Sequence, residues 1–356
     1  MHHNTATLRV DLSALAANYT LLRSKLDKRL CAAVVKANAY GLGVGAVSTR
    51  LWDEGCRQFF VATLEEAIEL RAVLPEAKQI YIFQGVLPGE EQDILHHRLI
   101  PVLNSMEQVE RWKHDGTHSA ALHVDTGMTR LGLTETEALK LAADKDTVQR
   151  CGIKLIMSHL ACANDGDMQK SADQLARFEK AFRKFPQPMA ACLANSAGIF
   201  LGAEYHYDMV RPGCALYGIN PIHDKNPMQH VATLSAPILQ IRTLDRNETV
   251  GYGATYEAKK GSRIAIVTLG YADGFKRNLS NKGYGFISGH KAPLVGRVSM
   301  DMIALDVSAL PAIPEHSRAE LINEKQDVNV LAERAGTIGY EIFTGIGNRV
   351  KRVYSS

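Results

Sequence analysis

Ala32-Ala33-Val34-Val35-Lys36-Ala37-Asn38-Ala39-Tyr40-Gly41 is an apolar run that stops at a lysine and passes into small residues. A short unbroken apolar run of this kind reads as a strand buried on both faces. Just beyond it, Val44, Val47 and Leu51 recur at the spacing of one helical face. The same pairing is repeated along the first 220 residues. Further apolar runs lie at 59–62, 80–83, 100–103, 120–124, 155–157, 190–193 and 209–210, making eight with 32–35. Amphipathic stretches separate them, as at Ala67, Leu70 and Leu74. Strand then helix, eight times over, predicts an α/β fold, an N-terminal (β/α)8 TIM-type barrel. A doubly wound open sheet is the alternative, because periodicity does not say whether the first and last strands meet.

After about residue 225 the texture changes. Residues 231–244 and 262–269 are β-rich, and 251–253, 273–274 and 285–289 have the glycines of turns. Helical patterning returns only at 320–334. The expected division is a barrel over 1–227 and a mostly β domain over 228–356. Two domains also suit a chain of 356 residues.

The bulk properties exclude several classes. A net charge of +3, with no cluster of Lys or Arg interleaved with aromatics, argues against a nucleic-acid partner. No run of 18 apolar residues occurs, so no membrane span is expected. Residues 1–10 are polar and lack the apolar core of a signal peptide; His2 and His3 are given no role. The six cysteines have no paired spacing, and several sit in apolar runs. That points to free thiols in a reducing compartment, the cytoplasm. No metal site is expected.

The chemistry begins at Lys36. A barrel strand that ends in lysine delivers the amine to the C-terminal mouth, where active sites of this architecture lie. Burial there lowers the amine's pKa and makes the neutral nucleophile accessible. A bare Val-Val-Lys is equally a lysine leaving a strand end for solvent; the full segment from Ala33 to Gly41 favours the functional reading.

That segment resembles the cofactor-lysine motif of bacterial alanine racemases, the two-domain members of the fold-type III pyridoxal-phosphate enzymes. The resemblance spans nearly the whole chain, and other motifs follow in the family's order. Asp125-Thr126-Gly127-Met128-Thr129-Arg130 resembles the segment after the fifth strand, in which Arg130 contacts the cofactor's phenolic oxygen and the substrate carboxylate. A guanidinium fork suits planar oxyanions. Ser158-His159-Leu160 follows the sixth strand, Asn195-Ser196-Ala197-Gly198 the seventh, and Arg211-Pro212-Gly213-Cys214 the eighth. The resemblance implies that Ser196, the amides of Gly213 and Cys214, and the hydroxyl of Tyr40 bind the phosphate, as loops after strands seven and eight commonly do. It also implies that Arg211 faces the pyridine nitrogen and that His159 hydrogen-bonds Arg211. A donor that never gives up its proton leaves that nitrogen unprotonated and weakens the ring as an electron sink.

In the second domain, Gly251-Tyr252-Gly253 resembles the segment carrying a tyrosine base, and Val298-Ser299-Met300-Asp301 the loop whose Met300 amide binds the substrate carboxylate. Lys36 then serves one face of the α-carbon and Tyr252 the other. A free tyrosine loses its proton near pH 10, so Tyr252 needs a relay, for which the His159–Arg211 pair is the candidate. The family places Tyr252 and Met300 against the other subunit's lysine, which implies a head-to-tail homodimer with shared sites. The implied activity is interconversion of L- and D-alanine, serving peptidoglycan or alanine catabolism.

Two positions depart from the family. His123 stands where many relatives carry a carbamylated lysine that orients the arginine. A bound anion or a water is expected in its place, with His123 itself as the other candidate. Near the C-terminus Asn348, or in a neighbouring register Val350, replaces a pocket tyrosine, which predicts some tolerance of L-serine. Broad-specificity or serine racemisation is therefore the alternative function. A barrel-only pyridoxal-phosphate homeostasis protein would end near residue 230 and lack Tyr252 and Met300. A decarboxylase of the same fold type carries a second-domain cysteine, and no cysteine follows Cys214.

Overall fold

A computed structural model describes residues 5–356 apart from 75–78, 115, 165–167, 187 and 223. His2 and His3 lie outside the described residues. The chain divides into two compact units, one formed by 15–39 and 43–229, the other by the N-terminal residues to Ala14, 40–42 and 230–356.

The first unit is the barrel. Parallel strands Ala33–Val34, Gln58–Val61, Gln79–Ile82, Ile100–Leu103, Ala120–His123, Ile153–Met157 and Ala190–Cys192 neighbour one another in chain order. Met209–Val210 closes the ring. The Asp208 and Arg211 amides donate to the carbonyls of Ala191 and Ala194 on one side. On the other, the Leu30, Ala32 and Val34 amides donate to the carbonyls of Asp208, Val210 and Pro212. First and last strands thus share hydrogen bonds, and the open sheet is excluded. The strands are buried on both faces, as their unbroken apolar runs require. The outer helices bury the expected stripes: Val44, Val47 and Leu51 on Val44–Asp53, and Leu64, Ala67 and Leu70 on Leu64–Val73.

The second unit is mostly β. Its longest strand, Ala232–Thr243, pairs with Arg318–Ile322 along its first half and Arg263–Val267 along its second. Register shifts near Leu234 and Ile238 bracket Pro237, which has no amide to give a ladder and is tolerated at such an irregularity. Two details correct the sequence-based expectation. Residues 318–322 form a strand; the helix begins only at Val328, where the Asp327 carboxylate caps the amides of Asn329 and Val330. Gly285 lies within the strand Tyr284–Ile287, and the turn is the pair Ser288-Gly289, both at positive φ, leading into His290–Pro293.

The division also differs from a boundary at 227. Thr7–Asp11 lies between Ala232–Thr243, antiparallel, and Lys351–Ser355, parallel, with Leu8 and Val10 fully buried. The first strand of the chain therefore belongs with its last residues. All six cysteines are free, five of them buried. Among the described residues no helix is long and apolar enough to cross a membrane.

Candidate active site

The Val35 amide makes the last ladder bond of the first strand, to the Phe60 carbonyl at 2.9 Å. Beyond Lys36 the backbone turns left-handed: Ala37, Asn38, Ala39 and Tyr40 have φ of 52°, 53°, 52° and 56°. Each non-glycine residue in that basin costs about 1 kcal/mol or more, so four in a row need external support. Hydrogen bonds supply it. Ala39 donates to the Val35 carbonyl at 2.8 Å, and Gly43 to the Asn38 carbonyl at 2.9 Å. Val44 donates to Asn38 Oδ1, and Ala37 to Glu66 Oε1, both at 2.7 Å.

The Lys36 amine lies over the Phe83 ring, 5.6 Å from its centroid. Phe83 stacks on Phe60 at 5.1 Å, and Phe60 on Tyr81 at 4.4 Å. Burial holds the Lys36 pKa below the ordinary lysine range; the Arg130 charge pushes the same way and Glu66 opposes.

Arg211, just past the eighth strand, lies over the same aromatic stack, 5.9 Å from Phe60, and is 2% exposed. Its Nη1 donates to the Cys192 carbonyl and sulfur, and its Nη2 to the Ser158 carbonyl at 2.6 Å. Among the described residues its Nε is buried without an acceptor. The expected bond from His159 is not made: among the described residues the guanidinium is held by main-chain carbonyls, which accept strongly from a cation. The two groups are coupled electrostatically instead. Burial, and then Arg211, holds His159 well below its ordinary pKa, with Arg130, His123 and Lys36 adding to the effect. These influences all disfavour the protonated ring.

Ser196 Oγ accepts the amides of Gly213 at 2.9 Å and Ala215 at 3.3 Å. Both of its lone pairs are engaged, so its own proton is free to be donated. Gly213 precedes the turn Cys214–Tyr217. Ser196, Gly213 and Cys214 are thus brought together by hydrogen bonds between the seventh and eighth strand ends.

Arg130 is exposed, on a loop pinned at its base where Asp125 donates to the Leu133 carbonyl and Leu133 to that of His123. Inside the loop the Asp125 carboxylate accepts the amides of Gly127, Met128 and Thr129. Partial burial raises its pKa, but these bonds outweigh it and hold Asp125 below the usual carboxylate range. His123, beneath the loop, shares a 2.9 Å hydrogen bond between its Nδ1 and Asn104 Oδ1. The Asn104 amide nitrogen donates to the Phe83 and Val102 carbonyls, which fixes its orientation. Nδ1 therefore carries the proton, and Nε2 is left as a neutral acceptor.

The remaining expected residues belong to the β unit. Tyr40 is buried, its ring 6.0 Å from Tyr340. Tyr252 is 73% exposed, in a turn whose flanking Gly251 and Gly253 have φ of 75° and 71°. A Cβ at Gly253 would meet the Arg297 guanidinium at 2.7 Å. Tyr252, Tyr271, Arg297 and Ser299 line one cavity of about 330 Å³. Met300 is 53% exposed, and its carbonyl accepts the Ala272 amide at 3.0 Å. Of the two C-terminal candidates, Asn348 is exposed and Val350 buried.

Sequence reasoning missed Glu66, Asn104 and Cys192. Only Glu66 had a local signal, the helix-start pattern Thr63-Leu64-Glu65-Glu66. The other two act through partners far along the chain.

Comparison with known proteins covers nearly all of the sequence. Residues 10–221 match the family model for the alanine racemase N-terminal domain, and 231–354 the one for the C-terminal domain. An alanine racemase of Rhodospirillum rubrum is 45% identical over 359 residues, covering 98% of this chain and 96% of that one. A catabolic alanine racemase of Agrobacterium fabrum is 43% identical, covering 98% and 91%. The crystal structure of alanine racemase from Bartonella henselae, with covalently bound pyridoxal phosphate, superposes with a TM-score of 0.93 at 40% identity, covering 99% of both chains.

Proposed function

Because this chain belongs to the alanine racemase family, we propose that it interconverts L- and D-alanine, with pyridoxal phosphate at the barrel mouth. The observation that carries this is a pairing over one aromatic stack. A partly buried amine held below its ordinary pKa lies there with a buried guanidinium whose Nε has no acceptor. A pyridine nitrogen is the acceptor that Nε lacks, and the free Ser196 proton, beside Gly213 and Cys214, suits a phosphate oxygen.

Bound there, pyridoxal phosphate supplies an electron sink that acidifies the α-hydrogen of an attached amino acid. Arg211 donates without releasing its proton, so the acceptor facing it stays unprotonated and the sink stays weak. That favours return of a proton to the α-carbon over side reactions. Inversion needs a proton taken from one face and returned at the other. Lys36, whose pKa burial holds below the ordinary lysine range, serves one face. Tyr252 of the partner subunit serves the other, in a head-to-tail dimer. Arg130 and Met300 of the partner subunit hold the substrate carboxylate. His159, kept neutral, adds no positive charge to a site that already holds Arg130 and Arg211. The bare Nε2 of His123 accepts from Arg130 directly or through one water, the place where relatives use a carbamylated lysine. The enzyme works in the cytoplasm, supplying D-alanine for peptidoglycan or consuming alanine in catabolism.

An absorption spectrum of the purified protein tests the assignment. A band at the visible edge should vanish on borohydride treatment, and Lys36→Ala should lack it. Deuterium should enter the α-position of both alanine enantiomers in the parent, and Tyr252→Phe should block exchange from one side. Equal exchange from both sides in that variant would reject the two-base scheme.

A further inference from the structure

The Glu66 carboxylate spans two barrel strand ends. Oε1 accepts the amide of Ala37, the residue after Lys36, and Oε2 that of Ala62, just past Gln58–Val61, both at 2.7 Å. Glu66 is the third residue of the helix Leu64–Val73, which is capped by Thr63. A glutamate at that position ordinarily folds back to the cap residue's own amide. This one reaches past it, to the residue before the cap and across to the neighbouring strand's loop. The bond to Ala37 falls on the first residue of the left-handed run, where the strained backbone begins.

The charge matters as well. The groups acting electrostatically on Lys36 are Arg130 from the loop after the fifth strand and Glu66 from this helix, while Lys36 itself acts on His159 after the sixth. Glu66 is the only anion in that set. We propose that Glu66 is a positioning residue for Lys36: one carboxylate ties the lysine's turn to the second barrel strand and supplies the negative charge in the amine's surroundings. This rests on Lys36 being the cofactor lysine.

Two substitutions separate the tether from the charge. Glu66→Gln removes the charge and turns one accepting oxygen into a donor that cannot meet an amide. Glu66→Asp keeps the charge but is too short to bridge both amides. Two measurements apply to the full-length chain. One is hydrogen exchange of residues 36–40 and 62 with the cofactor bound. The other is the pH dependence of Lys36 labelling by trinitrobenzenesulfonate after the cofactor has been removed. In Glu66→Gln, exchange in these residues should rise about tenfold, and labelling should reach its midpoint at lower pH, because the ammonium form has lost its anion. In Glu66→Asp, exchange should rise while the midpoint stays near the parent's. Parent-like exchange and midpoint in Glu66→Gln overturn the proposal. If that variant does not fold, parent-like exchange in Glu66→Asp overturns it. Lys36→Ala keeps the underlying assignment distinct: a visible band surviving in that variant removes the cofactor lysine, whereas the tether is judged on the amides of Ala37 and Ala62.

Discussion

Arg211 in the barrel and Tyr252 in the β unit show two ways of presenting a candidate side chain. Arg211 is 2% exposed, and its terminal nitrogens rest on the carbonyls of Cys192 and Ser158. Tyr252 is 73% exposed in a turn held open by two glycines, with Tyr271, Met300 and Met302 also exposed. In the barrel, burial sets the ionisation of Lys36, His123 and His159, and neighbouring strand ends hold the polar groups in place. In the β unit the groups around Tyr252 are large and largely apolar, and they are exposed. Exposed apolar clusters of this kind commonly mark a surface that another molecule covers. In the proposed dimer a second copy does so.

The comparison predicts that barrel substitutions disturb chemistry and folding together, whereas β-unit substitutions disturb chemistry alone. The largest effect belongs to Lys36→Ala, which should lower racemisation by at least about 1,000-fold, measured by circular dichroism of alanine. A residual rate within tenfold of the parent would remove Lys36 from the chemistry.

Next comes acid stability. His123 has its pKa lowered to about 4 from an ordinary 6.5, by burial first and then Arg211, with Asp125 opposing and Arg130 adding. The unfolded chain takes up that proton more readily than the folded one. The stabilisation is therefore complete above about pH 6.5 and is lost as pH falls toward 4. Urea unfolding should show a loss of up to about 3 kcal/mol across that window. His123→Gln should flatten part of it, and parallel pH profiles for the two proteins would contradict the assignment.

Tyr252→Phe should slow racemisation by about 100-fold and leave the melting temperature unchanged, since the residue is 73% exposed and only its hydroxyl is removed. A drop in melting temperature would show that the turn is built around the tyrosine. The smallest effect is expected for Asp125→Ala, which strands three loop amides and should cost about 2 kcal/mol in urea unfolding. An unchanged midpoint would mean the loop carrying Arg130 holds itself.

Much of this was legible in the chain. The eight apolar runs are the eight barrel strands to within a residue or two, because parallel strands buried on both faces must be continuously apolar. Lys36, Arg211 and Ser196 stand at strand ends, as the sequence reading expected. The tethers were not legible. Asn104 meets His123 across two strands, and Cys192 meets Arg211 across a loop. The His159–Arg211 bond was expected from a motif, but the main-chain carbonyls that displaced it have no sequence signature. The strand Thr7–Asp11 was missed as part of the β unit because its partners lie more than 220 residues away.

Local patterning was enough to mark the strands, their ends and the strand–helix alternation of an α/β fold, since periodicity and turn chemistry act over a few residues. Tertiary packing alone decided which unit the first strand joins, which proton His123 carries, and how four left-handed residues after Lys36 are held. Each of those depends on hydrogen bonds and burial between segments far apart in sequence, and no local run of residues encodes them.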